Sequence, residues 1–237
     1  MSVKAQRLSK WLVQLGYCAT RREAESFLDH HRVEWKGEPV DHPEIKFVPD
    51  EVTIDGEKMD PARLLIMLHK PAGYVCSHED SGLRVFDLLP DRFRFRQPKL
   101  LSVGRLDKDT TGLLLLTDDG MLVHKLTHPR QHVPKLYEVG LAQPLKGHEA
   151  GKFAAGTLML EGETTPLQPA QMEVVDATHA RLTIHEGRYH QVKRMFLSVG
   201  NEVVTLHRAT VGNVTLGPLP EGKWRVIDGE EEAQLFK

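Results

Sequence analysis

The chain has only two cysteines, Cys18 and Cys76, far apart and in no C-x-x-C pair, which excludes a disulfide framework and a cysteine zinc knuckle. It also lacks a bilayer-length apolar run, its longest tight cluster being Leu113 to Leu116, and it opens on no basic-plus-apolar leader. A protein that neither spans a membrane nor carries a secretion signal is therefore expected, and it is placed in the cytoplasm. Charge of one sign is missing as well. The 31 Lys+Arg stand against 33 Asp+Glu, a formal −2, too balanced for an indiscriminate nucleic-acid coat. A local basic face stays open. What is present is 40% hydrophobic residues over 237 positions, enough for a real core and for one large domain or a small one joined to a medium one.

The first 60 or so residues read as one module. Leu8, Trp11, Leu12 and Leu15 recur at helical spacing before Gly16, and Thr20 with Glu23 forms a capping-box pair ahead of Ala24, Phe27 and Leu28. Short strands and turns follow around Val33, Trp35, Lys36-Gly37, Val40, Val52, Ile54 and Asp55-Gly56. Charge divides inside the module. Residues 1–36 carry seven basic against four acidic side chains, and residues 37–59 carry two against seven. The helical half can therefore face phosphate, the bland alternative being solvated helix faces. R-L-S-K-W-L at 7–12, T-R-R-E-A-E at 20–25 and V-E-W-K-G-E-P-V at 33–40 are similar to the RNA-binding domain of ribosomal protein S-four. That resemblance implies RNA contact by Arg7, Lys10, Arg21 and Arg22, with Arg32 and Lys36 near the turn.

Asp60-Pro61 punctuates the chain, so the reading divides it into residues 1–59 and 60–237. Beyond it, strands are expected at 64–68, 100–103, 113–117, 136–141, 171–176, 179–185, 203–206 and 211–216. Helical segments are expected near 85–89, 121–126 and 192–199. Consecutive strands with scattered helices point to an α+β fold: a small N-terminal α/β module plus a domain on a mixed, mostly antiparallel sheet with flanking helices.

G-R-L-D-K-D-T-T-G-L-L-L-L-T-D-D-G, residues 104–120, places Asp107 in a Gly-bounded turn before an apolar strand, with Arg105 and Lys108 beside it. A carboxylate near a cation stays ionised and is available as a nucleophile; the alternative is a turn-capping Asp. The same letters fit D-x-D-x-T, the signature of haloacid-dehalogenase-type phosphatases, which use Mg²⁺. That reading needs an unbroken apolar strand directly before the first Asp, and Gly104 and Arg105 interrupt it. The whole run resembles the central motif of the RsuA-type pseudouridine synthases. Lys135-Leu136-Tyr137 fits their K-x-Y, E-G-R-Y-H-Q-V-K-R-M at 186–195 their third motif, and L-H-R at 206–208 with Val211-Gly212 a further one.

The resemblance implies that Asp107 acts at the glycosidic bond of a target uridine, by attack on the sugar or by deprotonating it to a glycal. It implies that Tyr137 stacks on the uracil and helps remove the carbon-5 proton. It implies too that Lys193, or else Arg194, pairs with Asp107, and that Arg105 meets the target's phosphate or fills the space the base leaves. T-D-D-G at 117–120 and H-K-L-T-H-P-R at 124–130 point within that family to small-subunit ribosomal RNA. A large-subunit substrate, or a catalytically idle ribosome-assembly factor, is the alternative.

A uridine in folded RNA must be flipped out at a cost of a few kcal/mol, so basic and stacking groups are needed around the pocket. Arg92, Arg94 and Arg96 alternate with Phe93 and Phe95, and on a strand they share one face as a phosphate track. Arg188, His190, Arg194 and Arg208, together with His207, are the other expected RNA or pocket-ordering contacts. His124, His128 and His132 are spaced at i, i+4 and i+8, but Pro129 breaks the helix and no H-E-x-x-H is present, so no metal is expected. Isomerisation is redox-neutral and adds no group, so no cofactor is expected either. The expected partner is ribosomal RNA or a ribonucleoprotein assembly intermediate, met by a monomer.

Overall fold

Leu8, Trp11, Leu12 and Leu15 form the buried stripe of the helix Leu8–Gln14. The Trp11 indole satisfies its one donor on the Phe47 carbonyl at 2.9 Å, which lets the ring lie in the core without a lost hydrogen bond. The second helix, Arg21–Glu25, is capped reciprocally. Thr20 Oγ1 accepts from Glu23 N, and Glu23 Oε2 accepts from Ala19 N, one residue earlier than in the standard box. These helices cover a four-stranded sheet in the order Glu38–Pro39, Val33–Trp35, Val52–Ile54, Glu57–Lys58. Both hairpin turns, Lys36-Gly37 and Asp55-Gly56, have two successive positive φ values, the twist that tight antiparallel turns require.

The computed structural model describes residues 3–237 and resolves two compact units. The first holds the N-terminal stretch through Leu65 together with Leu89–Leu101 and Leu116–Gly120. Its later segments contain the main departure from the sequence expectation. Residues 91–94 form a short helix, not a strand. Pro90 precedes it, Asp91 sits in its first turn, and Phe93 turns into the core while Phe95 stays exposed. Helical geometry sends the three arginines to different partners. Arg92 pairs with Asp60 at 2.6 Å, and Arg94 with Asp91 at 2.9 Å. Arg96 is buried against Asp118 at 2.6 Å, with Leu64 N donating to the same carboxylate. The expected phosphate track along 92, 94 and 96 is therefore not formed.

The second unit comprises Ile66–Leu88, Ser102–Leu115 and Met121–Lys237. Among the described residues the large sheet has nine strands. Seven lie on one path: Gln171–Val174, His179–Ile184, Lys135–Leu141, Val203–Val211, Thr111–Thr117, Leu65–Lys70 and Trp224–Val226. Most pairings are antiparallel, and Val203–Val211 runs parallel to Thr111–Thr117. The sheet is thus mixed and mostly antiparallel, as expected. The predicted strand 203–206 continues to Val211 before turning into the short Val214–Thr215. It can do so because two register shifts let the long strand follow its neighbour Lys135–Leu141. On Gln191–Ser198, Phe196 meets Phe153 edge to face at 5.2 Å.

Candidate active site

The turn at 105–110 leads into a strand whose residues Leu113 to Leu116 are fully buried, so its base is rigid. Lys70 reinforces it from the end of the strand Leu65–Lys70. Its ammonium is fully buried and donates to the carbonyls of Pro71, Lys108 and Thr110 at 3.0, 3.2 and 2.8 Å. Burial pulls the Lys70 ammonium below the ordinary lysine range, while Cys76, Asp109 and Asp107 oppose that loss. Cys76 grips the other side of the turn. Leu106 N donates to its sulfur, and its thiol donates back to Leu106 O. With the backbone of the turn held at these points, the Asp107 carboxylate faces a cavity of about 580 Å³.

The helix Gln191–Ser198 supplies the counter-charge. Lys193 Nζ lies 3.2 Å from Asp107 Oδ2 and 2.6 Å from Asp109 Oδ1. Its hydrogen bond holds the Asp109 carboxyl below the usual range. Burial alone would lower the Lys193 ammonium, but the two carboxylates outweigh it and the net shift is upward. His190, in the left-handed region at φ +49°, brings Nε2 to 3.4 Å from Asp107 Oδ1. Tyr137 and Lys135 project from alternate positions of one strand into the same cavity, which Arg105 of the 105–110 turn also lines. Burial, with the Arg208 charge adding to it, pushes the Lys135 ammonium down to about 8.

The structure thus brings Asp107, Tyr137, Arg105 and His190 around one cavity, with Lys193 paired to the Asp107 carboxylate. Several other predicted contacts are placed differently. Arg188 is committed to Glu163, Glu186 and the carbonyls of Thr165 and Pro166. Arg194 binds Glu163 and the carbonyls of Tyr189 and Glu161. Both guanidiniums clamp the segment 161–166 and are not free cations, because Glu163 offers each a carboxylate oxygen. Arg194 consequently does not pair with Asp107. Arg208 lines the cavity but is buried, with Nε donating to Leu113 O. His207 falls on the other side of its strand, with Thr111 at 2.9 Å and His69 edge-on at 5.4 Å. Burial lowers its pKa, and it is no part of the pocket.

In the N-terminal unit Arg7, Lys10 and Arg21 border one groove of about 460 Å³ with Lys46, Glu25 and Glu44. Arg22 is exposed on the helix Arg21–Glu25. Arg7 pairs with Glu44, Arg32 with Glu34 and Lys36 with Glu51. The sequence reading missed Lys46, Lys70, Cys76, Lys135 and Tyr189 as site groups. Lys70 had a signal: a lysine ending an otherwise buried strand pattern needs a partner.

A family profile described as RNA pseudouridylate synthase matches residues 64–198. The ribosomal small subunit pseudouridine synthase A of Pasteurella multocida (strain Pm70) is 42% identical over 98% of this chain and 100% of its own. The chain belongs to the RNA pseudouridylate synthase family. The enzyme of the same name from Escherichia coli (strain K12) is also 42% identical, over 97% of this chain and 99% of its own. A crystal structure of a pseudouridylate synthase superposes with a TM-score of 0.69 at 38% identity, covering 97% of this chain and 99% of that one. As a pseudouridylate synthase, the chain is an isomerase, and the cavity that holds Asp107 lies in the matched region and its flanking strands.

Proposed function

We propose that this pseudouridylate synthase isomerises a specific uridine of small-subunit ribosomal RNA, met as free RNA or within an assembly intermediate, and acts as a cytoplasmic monomer. The near full-length likeness to relatives named for that subunit supports the substrate. The observation that carries the chemistry is an Asp107 carboxylate ion-paired to Lys193 at 3.2 Å, facing a cavity that also holds the ring of Tyr137. Asp107 initiates cleavage of the N1–C1′ bond, and the Lys193 ammonium pairs with its carboxylate and aims it. The freed uracil turns against Tyr137, forms the C5–C1′ bond, loses its C5 proton and gains one at N1. Atoms and electrons balance with no added group. Arg105, exposed at the mouth, meets the phosphate or the gap left in the RNA. The N-terminal groove bordered by Arg7, Lys10 and Arg21 grips RNA through phosphates.

The test is release of tritium from small-subunit ribosomal RNA labelled at uridine C5. Asp107→Asn is expected to end release while leaving RNA affinity largely unchanged; continued turnover would overturn the role of Asp107. Wild-type release from large-subunit RNA alone would overturn the substrate.

A further inference from the structure

Tyr189 is 76% exposed, yet it lies at the catalytic cavity and its ring is ordered: it stacks on His190 with centroids 3.8 Å apart and planes within 17°. His190 in turn touches Asp107. The backbone beneath the pair is fixed from both sides, by Arg188 N donating to Gln191 Oε1 and by Arg194 donating to Tyr189 O. One face of the tyrosine is therefore covered by imidazole, and the other is left exposed where the ring borders the cavity. When a uridine is flipped into the cavity, its neighbour in the strand loses a stacking partner at the same place.

From this geometry we infer that Tyr189 is a stacking platform for the RNA base adjacent to the flipped uridine, completing a base–Tyr189–His190 stack at the cavity mouth. The inference rests on the pseudouridylation reading above. It makes Tyr189 a positioning residue: the stack stabilises the extruded state and offsets part of its cost, without touching the reacting atoms. Because every base has a π-face, the platform tolerates any neighbour and adds affinity rather than sequence choice. It also gives the strained left-handed His190 a use, since that backbone turn is what lays the two consecutive rings face to face.

The experiment compares Tyr189→Ala, Tyr189→Leu and Tyr189→Phe with the wild-type enzyme on in vitro transcribed small-subunit ribosomal RNA. Tritium release gives KM and kcat, and filter binding of the same RNA gives Kd. Tyr189→Ala is expected to raise KM and Kd by roughly 5- to 100-fold, the range for one base–aromatic stack, with kcat little changed because the contact is made in ground and transition states alike. Tyr189→Phe should recover most of the loss and Tyr189→Leu should not, since an aliphatic side chain fills space but cannot stack. A KM and Kd within twofold of wild type for Tyr189→Ala, or equal recovery by Leu and Phe, would overturn the platform. Absence of wild-type turnover would instead overturn the substrate reading, and the Kd ratios would still decide the stack.

Discussion

Lys193 bonds two carboxylates, with the shorter contact to Asp109 and the longer to Asp107. Asp109 thus holds the ammonium in place while Asp107 keeps freedom to react. Lys193→Met should lower kcat by roughly 10²-fold, as loss of one preorganised electrostatic partner does, and Lys193→Arg should restore part of it in the same tritium assay. Lys135 tests the pocket through pH. Its folded pKa of about 8 lies below the ordinary lysine value of 10.5, so the native state disfavours its charge. That cost is fully present below pH 8 and is relieved as pH rises from about 8 towards 10.5, where the unfolded chain binds the extra proton. Urea denaturation at pH 7 and pH 9.5 should show Lys135→Met stabilised relative to wild type at the lower pH, with the difference shrinking at the higher. An equal difference at both pH values would contradict a depressed Lys135.

At the scale of elements, the catalytic turn depends on how closely two strands approach. Gly112 has φ +109°, and a Cβ there would meet Arg208 O at 2.3 Å and Arg208 N at 2.6 Å. Gly112→Ala must push the strand Thr111–Thr117 away from Val203–Val211 just past Asp107. It is expected to destabilise by more than 1 kcal/mol, given both the strained φ and the backbone clash, and to reduce kcat more than RNA affinity. The segment 91–96 shows the opposite case, a basic stretch used for packing. Asp118 takes the Arg96 guanidinium and the Leu64 amide, tying the chain after Pro61 to the turn that starts the helix Gly120–Thr127. Removing one partner of so buried a pair leaves an uncompensated charge, and Asp118→Ala should cost about 3–5 kcal/mol in chemical denaturation. An exposed RNA-binding arginine would lose affinity on mutation with little change in stability, and Arg96→Met should show the reverse.

Across the molecule, the formal charge of −2 conceals a local division of labour. The groove bordered by Arg7, Lys10, Arg21 and Lys46, with Glu25 and Glu44, gathers cations in a unit whose residues 37–59 carry two basic against seven acidic side chains. Lys10→Glu with Arg21→Glu is expected to weaken RNA binding and to reduce the slope of log K against log salt by about 1 per lost phosphate contact. Single-turnover chemistry at saturating enzyme should persist. An unchanged salt slope would show that this groove does not carry RNA. These charge reversals are a cleaner test than removing residues 1–59, because Gln97 N donates to Gln14 O and Tyr17 OH accepts from Asp60 N, so truncation would strip the packing from later segments of the same unit. The sequence by itself determined the stripe of the first helix, the capped second helix, the tight turns, most strands of the large sheet and the Asp107 motif. Each of these depends on residues within a few positions of one another. Only the tertiary structure decided which cations remain free. Arg96 is claimed by Asp118, 22 residues away, and Arg188 and Arg194 by Glu163, 25 and 31 residues away. The alternation Arg-Phe-Arg-Phe-Arg suits a strand locally, but buried carboxylates and an apolar site for Phe93 made a helical turn more stable. A charge's partner is set by distance in space, which local spacing does not encode.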